Sequence, residues 1–321
     1  MARFRKPSPR QVLLLLALAC LAVIAAFMTV GAKGSWGFIL SFRGAKIAVM
    51  VVVAYSIAVS TVLFQTVTNN RILTPAIMGF DSLYVLIQSG MVFLLGSSGI
   101  VSVDPRLRFA AEIAVMVAFS VLLYGSLFAG GRRSLHLLIL AGIVFGIFFH
   151  SLSTFLQRLI DPAEFAFLQD RFFASFNLVR PDLLVTAVVI VAVVTLVAWR
   201  IMHSFDVLAL GRDRAINLGV DHRRMVTIIL MLVAILVSVS TALVGPITFF
   251  GLLVANLAYL VMPSGKHRHI LPAAILLAII CLVGGQMILE RVFGFDGNLR
   301  IVIEFLGGIT FIALLLRGTA R

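Results

Sequence analysis

The chain has 321 residues, 61% of them hydrophobic and only 12% charged, with a formal net charge of +13. Soluble domains carry about 25% charged residues, so a mean hydropathy of +1.13 excludes a soluble globular fold. The positive balance calls for no nucleic acid: no basic–aromatic pattern for bases accompanies it, and the charge bias that orients membrane proteins accounts for it.

Arg3, Arg5, Lys6 and Arg10 precede the first apolar run, which continues to about Val30 with no small-residue cleavage site before polar sequence. It reads as a retained first span. In chain order the apolar runs are 11–30, 45–65, 76–96, 107–129, 135–154, 183–202, 225–244, 247–262, 270–291 and 300–316. Most are near the ~20 residues a spanning helix needs. They lack the alternation of barrel strands, and helices satisfy their own backbone in lipid. The expectation is an all-α polytopic membrane protein with about ten transmembrane helices, a single domain over 1–321.

An even number of spans puts both termini on one side. With the N-terminus inside, sixteen of the 26 Lys and Arg residues fall on inner segments, which favours N-in and C-in. The Phe-rich stretch 155–182 is then an outer connection, expected to hold an interfacial or re-entrant helix. Cys20 and Cys281 lie within apolar runs and read as small hydrophobes. Ionisable residues inside spans are few: Asp81, Glu112, Glu290, Arg291 and Glu304. They form no mid-membrane ladder such as a proton-coupled carrier needs, and pairing with basic partners near helix ends explains them better.

No HExxH, GxSxG or P-loop occurs. No catalytic residue, metal or cofactor is expected, and energy for active transport must come from a partner. One passage departs from the membrane pattern: GRDRAINLGVDHRRM, residues 211–225. It threads Ala215, Ile216, Leu218 and Val220 between charges, and lies in the longest inner connection, about 203–224. A short surface helix of this kind fits another protein's groove: the apolar side chains supply buried contact, and the charges set register.

Three stretches resemble the permease subunits of the iron-siderophore and vitamin B12 class of ABC importers. The first, FRGAK…FQTVTNNRILTPAIMG, carries Arg43, Lys46, Gln65, Asn70, Pro75 and Gly79. The second is GRDRAINLGV, and the third is GPITFFGLLVANLAY at 245–259. The sequence departs from the family at Arg71, where a proline is usual, at Lys46 in place of arginine, at Ala255–Asn256, and at Met287 in place of an aspartate.

The resemblance implies a ten-span permease that moves an iron(III)–siderophore complex into the cytoplasm through the inner membrane, driven by a cytoplasmic ATP-binding subunit. It implies that Gly211, Arg212, Asp213, Arg214, Ala215, Leu218, Gly219 and Val220 seat in that subunit. Arg43, Lys46 and Arg291 would dock a periplasmic or lipoprotein substrate-binding protein. Gln65, Asn70 and Asn256 would lie near the translocation path. The GLLVAN form leans towards a heterodimer with a second permease rather than a homodimer. The alternative from another class is an ion- or proton-coupled secondary transporter, which the sparse acids and the charged inner loop disfavour.

Overall fold

The computed structural model describes residues 7–31, 35–128, 135–172, 176, 181–291 and the positions 302, 303, 305, 308, 309 and 312. Among them the helices run α1 (Pro9–Thr29), α2 (Trp36–Thr68), α3 (Phe80–Ser102), α4 (Pro105–Phe128), α5 (Leu135–Leu159) and α6 (Pro162–Phe172). They continue as α7 (Pro181–Arg200), α8 (Met202–Leu208), α9 (Arg212–Asn217), α10 (His222–Val244), α11 (Phe250–Val261) and α12 (His267–Arg291). A 3-10 turn, Pro75–Met78, precedes α3. The fold is all-helical, as the apolar runs require.

Eight of these helices are long and apolar enough to cross a membrane. The eighth apolar run differs from expectation. The run 247–262 yields only the 12 residues of α11, about 18 Å at 1.5 Å per residue, against about 30 Å of hydrocarbon. The chain spends 245–249 outside the helix, turning at Gly245 with φ 94°. The expected tenth span lies mostly outside the described residues, as do Glu304 and the Arg132–Arg133 pair.

Helix ends follow local chemistry. Ser8 Oγ accepts from the Gln11 N–H while the Gln11 side chain accepts from the Ser8 N–H, a reciprocal cap that satisfies two orphan groups, with Pro9 opening the helix. Asp221 Oδ1 accepts from the Arg224 N–H at 3.1 Å and starts α10. Asn69, at φ 49°, closes α2.

Helices α2 and α10 form the centre, and the remaining helices surround them. Within their membrane-length windows they are 78% and 72% buried, against 17–33% for α1, α3, α4, α5 and α7. The outer helices turn Leu14, Leu94, Leu122, Phe148 and Val185 outward. Lipid supplies no hydrophobic drive for helix pairing, so small side chains carry close contact. The turn before α3 meets α5 in this way. A Cβ on Gly142 would lie 2.8 Å from Met78 Cα, and one on Gly79 would lie 3.0 Å from Gly146 Cα.

Helix α3 bends at Gly96, whose φ of 67° and ψ of 172° break the helical run. The break frees the N–H groups of the following turn. Glu164 of α6 takes one, its Oε2 accepting from Ser97 N at 2.6 Å while its Oε1 accepts from Ser97 Oγ at 2.8 Å. Phe165, Leu168 and Phe172 pack α6 against Val92 and Ile100. The stretch expected to hold an interfacial helix is thus an α3-bound helix, held by one carboxylate and a small apolar cluster.

The glycine contact gives a direct test. Gly142→Ala should destabilise the detergent-purified chain by about 1–3 kcal/mol, the usual range for overpacking, because its Cβ meets backbone that cannot move aside. Gly90→Ala, with nothing within 4 Å of its Cβ, should leave the unfolding midpoint unchanged or raise it slightly. Equal midpoints for the two variants would remove the close-approach account.

Candidate functional sites at the two ends of the bundle

At one end, α8 and α9 stand away from the bundle on buried feet. Phe205 and Leu208 of α8 and Ala215 of α9 are fully or almost fully buried. Between them Leu210 is 48% exposed, and beyond them Ile216 is 49% and Leu218 61% exposed. Arg212, Asp213, Arg214, Arg223 and Arg224 are exposed around them. The result is an apolar knob ringed mainly by cations. Glycines make its corners: Gly211 at φ 96° and Gly219 at φ 83° occupy the left-handed region that a Cβ disfavours. Ala215 is placed differently from the sequence expectation, because it packs into its own chain and is not offered outward. Ile216 and Leu210 join Leu218 as the outward apolar contacts.

Behind this knob a polar chain runs from Asp206 of α8, its side chain 38% exposed, to the buried His267 and Thr66. His267, the first residue of α12, is 2% exposed. Its backbone N–H donates to Asp206 Oδ1 at 2.8 Å, and its ring Nδ1 lies 2.7 Å from the same oxygen. Its Nε2 lies 2.7 Å from Thr66 Oγ1 of α2. Burial works to raise the Asp206 carboxyl, but the hydrogen bonds from His267 and the charges of His267 and Lys266 outweigh it and hold Asp206 below the usual carboxylate range. Of the two histidines in the basic loop GKHRH, the structure buries His267.

Gln65, Asn70 and Asn256 also meet near this end. Gln65 Nε2 donates to the Arg71 carbonyl at 2.7 Å, and Asn256 Nδ2 donates to the same carbonyl at 3.3 Å and to that of Leu252 at 2.9 Å. Asn70 Oδ1 accepts from the Ile72 N–H at 2.9 Å. Together they pin the loop 69–74, while the Arg71 guanidinium stacks 4.5 Å over the Tyr259 ring. Arg71, where the family pattern has proline, is therefore the residue on which this loop is organised. Beyond the loop a hydroxyl-rich cleft opens between α2, α3 and α10, lined by Ser60, Thr61, Thr74, Asp81, Ser240 and Thr248 among others. Asp81 Oδ2 accepts from Thr248 Oγ1 at 3.1 Å. No contiguous motif marks this cleft, because its lining comes from separate helices.

At the opposite end, two arginines hold the C-terminus of α1. Arg43 Nη1 donates to the carbonyls of Phe27, Met28 and Val30 at 2.7, 3.0 and 3.1 Å, and Nη2 donates to Gly31 at 3.1 Å. Arg291 Nη2 donates to Val30 at 2.6 Å. The last carbonyls of a helix have no intrahelical partner, and cations suit the negative end of its dipole. Gly31, at φ 58°, leaves the space that the Arg291 guanidinium fills. Lys46 does not share this surface. It is 7% exposed, and its Nζ meets Glu290 Oε1 at 3.1 Å, an oxygen that also accepts from Gln286 at 2.9 Å. Glu112 is likewise paired, with Arg108 at 3.6 Å and Gln88 at 2.8 Å. These carboxylates serve packing, as their position near helix ends led us to expect.

The model of the FecCD transport family matches residues 10–317. The chain belongs to this family. It is 49% identical over 284 residues to the petrobactin import system permease protein YclO of Bacillus subtilis (strain 168), covering 88% of this chain and 90% of that protein. It is 38% identical to the petrobactin import system permease protein FatC of Bacillus anthracis, covering 87% and 78%. Its fold matches a solved metal-chelate type ABC transporter in an inward-facing conformation at a TM-score of 0.84, with 20% identity over 96% of this chain and 99% of that one. Several apolar spanning helices in a FecCD permease make it a multi-pass protein of the inner membrane.

The Lys46–Glu290 pair yields a test within this FecCD chain. Removing one member of a buried pair strands the other charge at a cost of about 3–5 kcal/mol. Lys46→Met should lower the unfolding midpoint strongly. Lys46→Met with Glu290→Gln, which retains the acceptor for Gln286, should recover most of the loss. A single variant as stable as the native chain would show that the pair is not buried in the membrane-embedded protein.

Proposed function

We propose that this chain is the membrane-spanning permease subunit of an ABC importer that carries an iron(III)–siderophore complex into the cytoplasm. The observation that carries the reading is the α8–α9 knob, three outward apolar side chains among arginines on an otherwise lipid-facing chain. It has the chemistry of a seat for a partner. The chain works as one domain over 1–321, with both termini inside and the knob in the cytoplasm, where an ATP-binding subunit takes Ile216, Leu218 and the flanking Arg212, Asp213 and Arg214. Hydrolysis belongs to that subunit. The petrobactin systems of the relatives make ferric petrobactin the first substrate to try. A second, unlike permease completes the pathway, as the GLLVAN form favours, and the loop-bound Gln65, Asn70 and Asn256 stand near it.

On the outer side Arg291 and the half-buried Arg43 offer positive charge to acidic side chains of a substrate-binding protein. Such pairs set orientation and on-rate more than affinity. Lys46 supports this edge from beneath through Glu290.

Reconstitution with the neighbouring ATPase and binding protein tests the reading: ATP-dependent uptake of ferric petrobactin, and the identity of any chelate carried through purification. The seat has its own test. Burying each of two aliphatic side chains contributes about 1.5–3 kcal/mol, so Ile216→Asp with Leu218→Asp should weaken ATPase association about 100-fold or more. Insertion should be intact. Unchanged co-purification and uptake would rule the knob out as the seat. A reporter active only in the cytoplasm should work when fused after Arg214 or Arg268 and fail after Asp104; activity at Asp104 would reverse the orientation.

A further inference from the structure

We propose that Thr66, His267 and Asp206 form a hydrogen-bonded strut that fixes α8 to the ends of α2 and α12, making these three the positioning residues through which movement of the knob becomes movement of transmembrane helices. The inference rests on the permease reading and adds to it the residues that transmit force.

The geometry favours a strut over general packing. Phe205 and Leu208 bury α8 by apolar contact, and the Phe205 ring stands edge-on to His267 at 5.8 Å between centroids. Apolar contact is non-directional and permits sliding. The hydrogen bonds are directional. Asp206 Oδ1 takes two donors from one residue, the His267 N–H and the ring Nδ1. The backbone donor is an orphan group of the first turn of α12, so a side chain on α8 caps a helix to which it is not joined. On the far side of the ring, Nε2 meets Thr66 Oγ1, which lies 2.8 Å from the Val62 carbonyl. The Tyr259 side chain of α11 hydrogen-bonds the same hydroxyl. Four helices meet on one imidazole and one hydroxyl.

Every donor in this chain is used in either protonation state of the ring. With a neutral ring, Nδ1–H donates to Asp206 and the Thr66 hydroxyl donates to Nε2. With an imidazolium, Nε2–H donates to Thr66, whose own hydrogen turns to Val62. Neither state leaves a buried polar atom unpaired, so the link persists through a proton change. Only Ala209, Leu210 and Gly211 separate α8 from α9, and Ala215 buries α9 against the bundle. A push on Ile216 and Leu218 therefore reaches Asp206 through α9, the three-residue link and α8, and reaches α2, one of the two central helices, through Thr66.

The test uses the assembled complex of permease, ATPase and binding protein in vesicles, with radioiron-labelled ferric petrobactin as probe. The quantities read are basal ATP hydrolysis and chelate transported per ATP. Asp206→Ala and the nearly isosteric Thr66→Val should assemble and keep basal hydrolysis. Transport per ATP should fall about tenfold, as expected for losing a hydrogen bond to a charged or buried partner. Asp206→Asn, which keeps an acceptor for both His267 donors, should restore at least half of the native ratio. If Asp206→Ala inserts poorly, Thr66→Val and Asp206→Asn decide the matter. Lower thermal stability with a native ratio of transport to hydrolysis would make the chain a structural staple and overturn the strut alone. A native complex that never assembles with an ATPase overturns the permease reading, and the strut with it.

Discussion

Helices α2 and α10 are enclosed by the other helices, and that enclosure constrains the rest of the molecule. A helix surrounded by protein gains from placing its polar side chains on partners, and most of those on α2 and α10 have one, with the Ser56 and Ser238 hydroxyls and Gln65 Oε1 as buried exceptions among the described residues. Along α2, Ser60 Oγ donates to Ile57, Thr66 Oγ1 lies at hydrogen-bond distance from Val62, and Thr68 Oγ1 donates to Phe64. Hydroxyls that return to the preceding turn are the cheapest way to carry polarity through such a core. They leave the helix free to pack closely, as where Gly251 of α11 sits against the Thr61 hydroxyl. Outer helices face lipid and need little beyond apolar length. Polar links at the helix ends, Lys46–Glu290 and Asp206–His267, accompany others along the helices, Gln88–Glu112 and Thr195–Tyr55.

Both ends use the same device, a side chain from one helix completing the unpaired backbone groups of another. Arg43 and Arg291 supply donors to the carbonyls that end α1. Asp206 supplies an acceptor to the N–H that opens α12, and Glu164 does so after the break in α3. In each case charge matches the sign of the local helix dipole. A link of this kind orients one helix axis against another, which apolar contact between cylinders in lipid does poorly. The permease is thus stiffened where partners are proposed to bind, at the mouth framed by α1, α2 and α12 and at the knob of α8 and α9.

Composition and run length made the all-helical fold legible, since long apolar runs leave few other solutions in lipid. The limits of that reading lie where charge and helix coincide. Arg43 and Lys46 look like the edge of a span, yet α2 begins seven residues before Arg43 because carbonyls of α1 and the Glu290 carboxylate receive those cations. The run 247–262 looks like a span and holds only a short helix, because Gly245 and the residues after it spend length on a turn. The knob was legible because its charges interrupt an apolar pattern. Its inward and outward sides were not, since six residues are too few to establish a period. The strut was hidden for a different reason: Thr66, Asp206 and His267 are distant in sequence, and each is unremarkable alone.

The size of α9 explains why it needs such support. An isolated helix of six residues is far below the length that is stable in water, so its shape must be imposed from outside. Gly211 and Gly219 turn the chain at its two ends, Asp221 starts α10 directly after it, and Ala215 holds its inner side. Asp206 fixes the segment before it. These constraints all lie within the chain itself, so they hold Ile216 and Leu218 in position for the proposed partner. Preorganised contact leaves less conformational entropy to be lost on association. Under the proposed coupling the same rigidity has a second use, because a floppy seat would absorb a displacement that a fixed one passes on to α2 and α12.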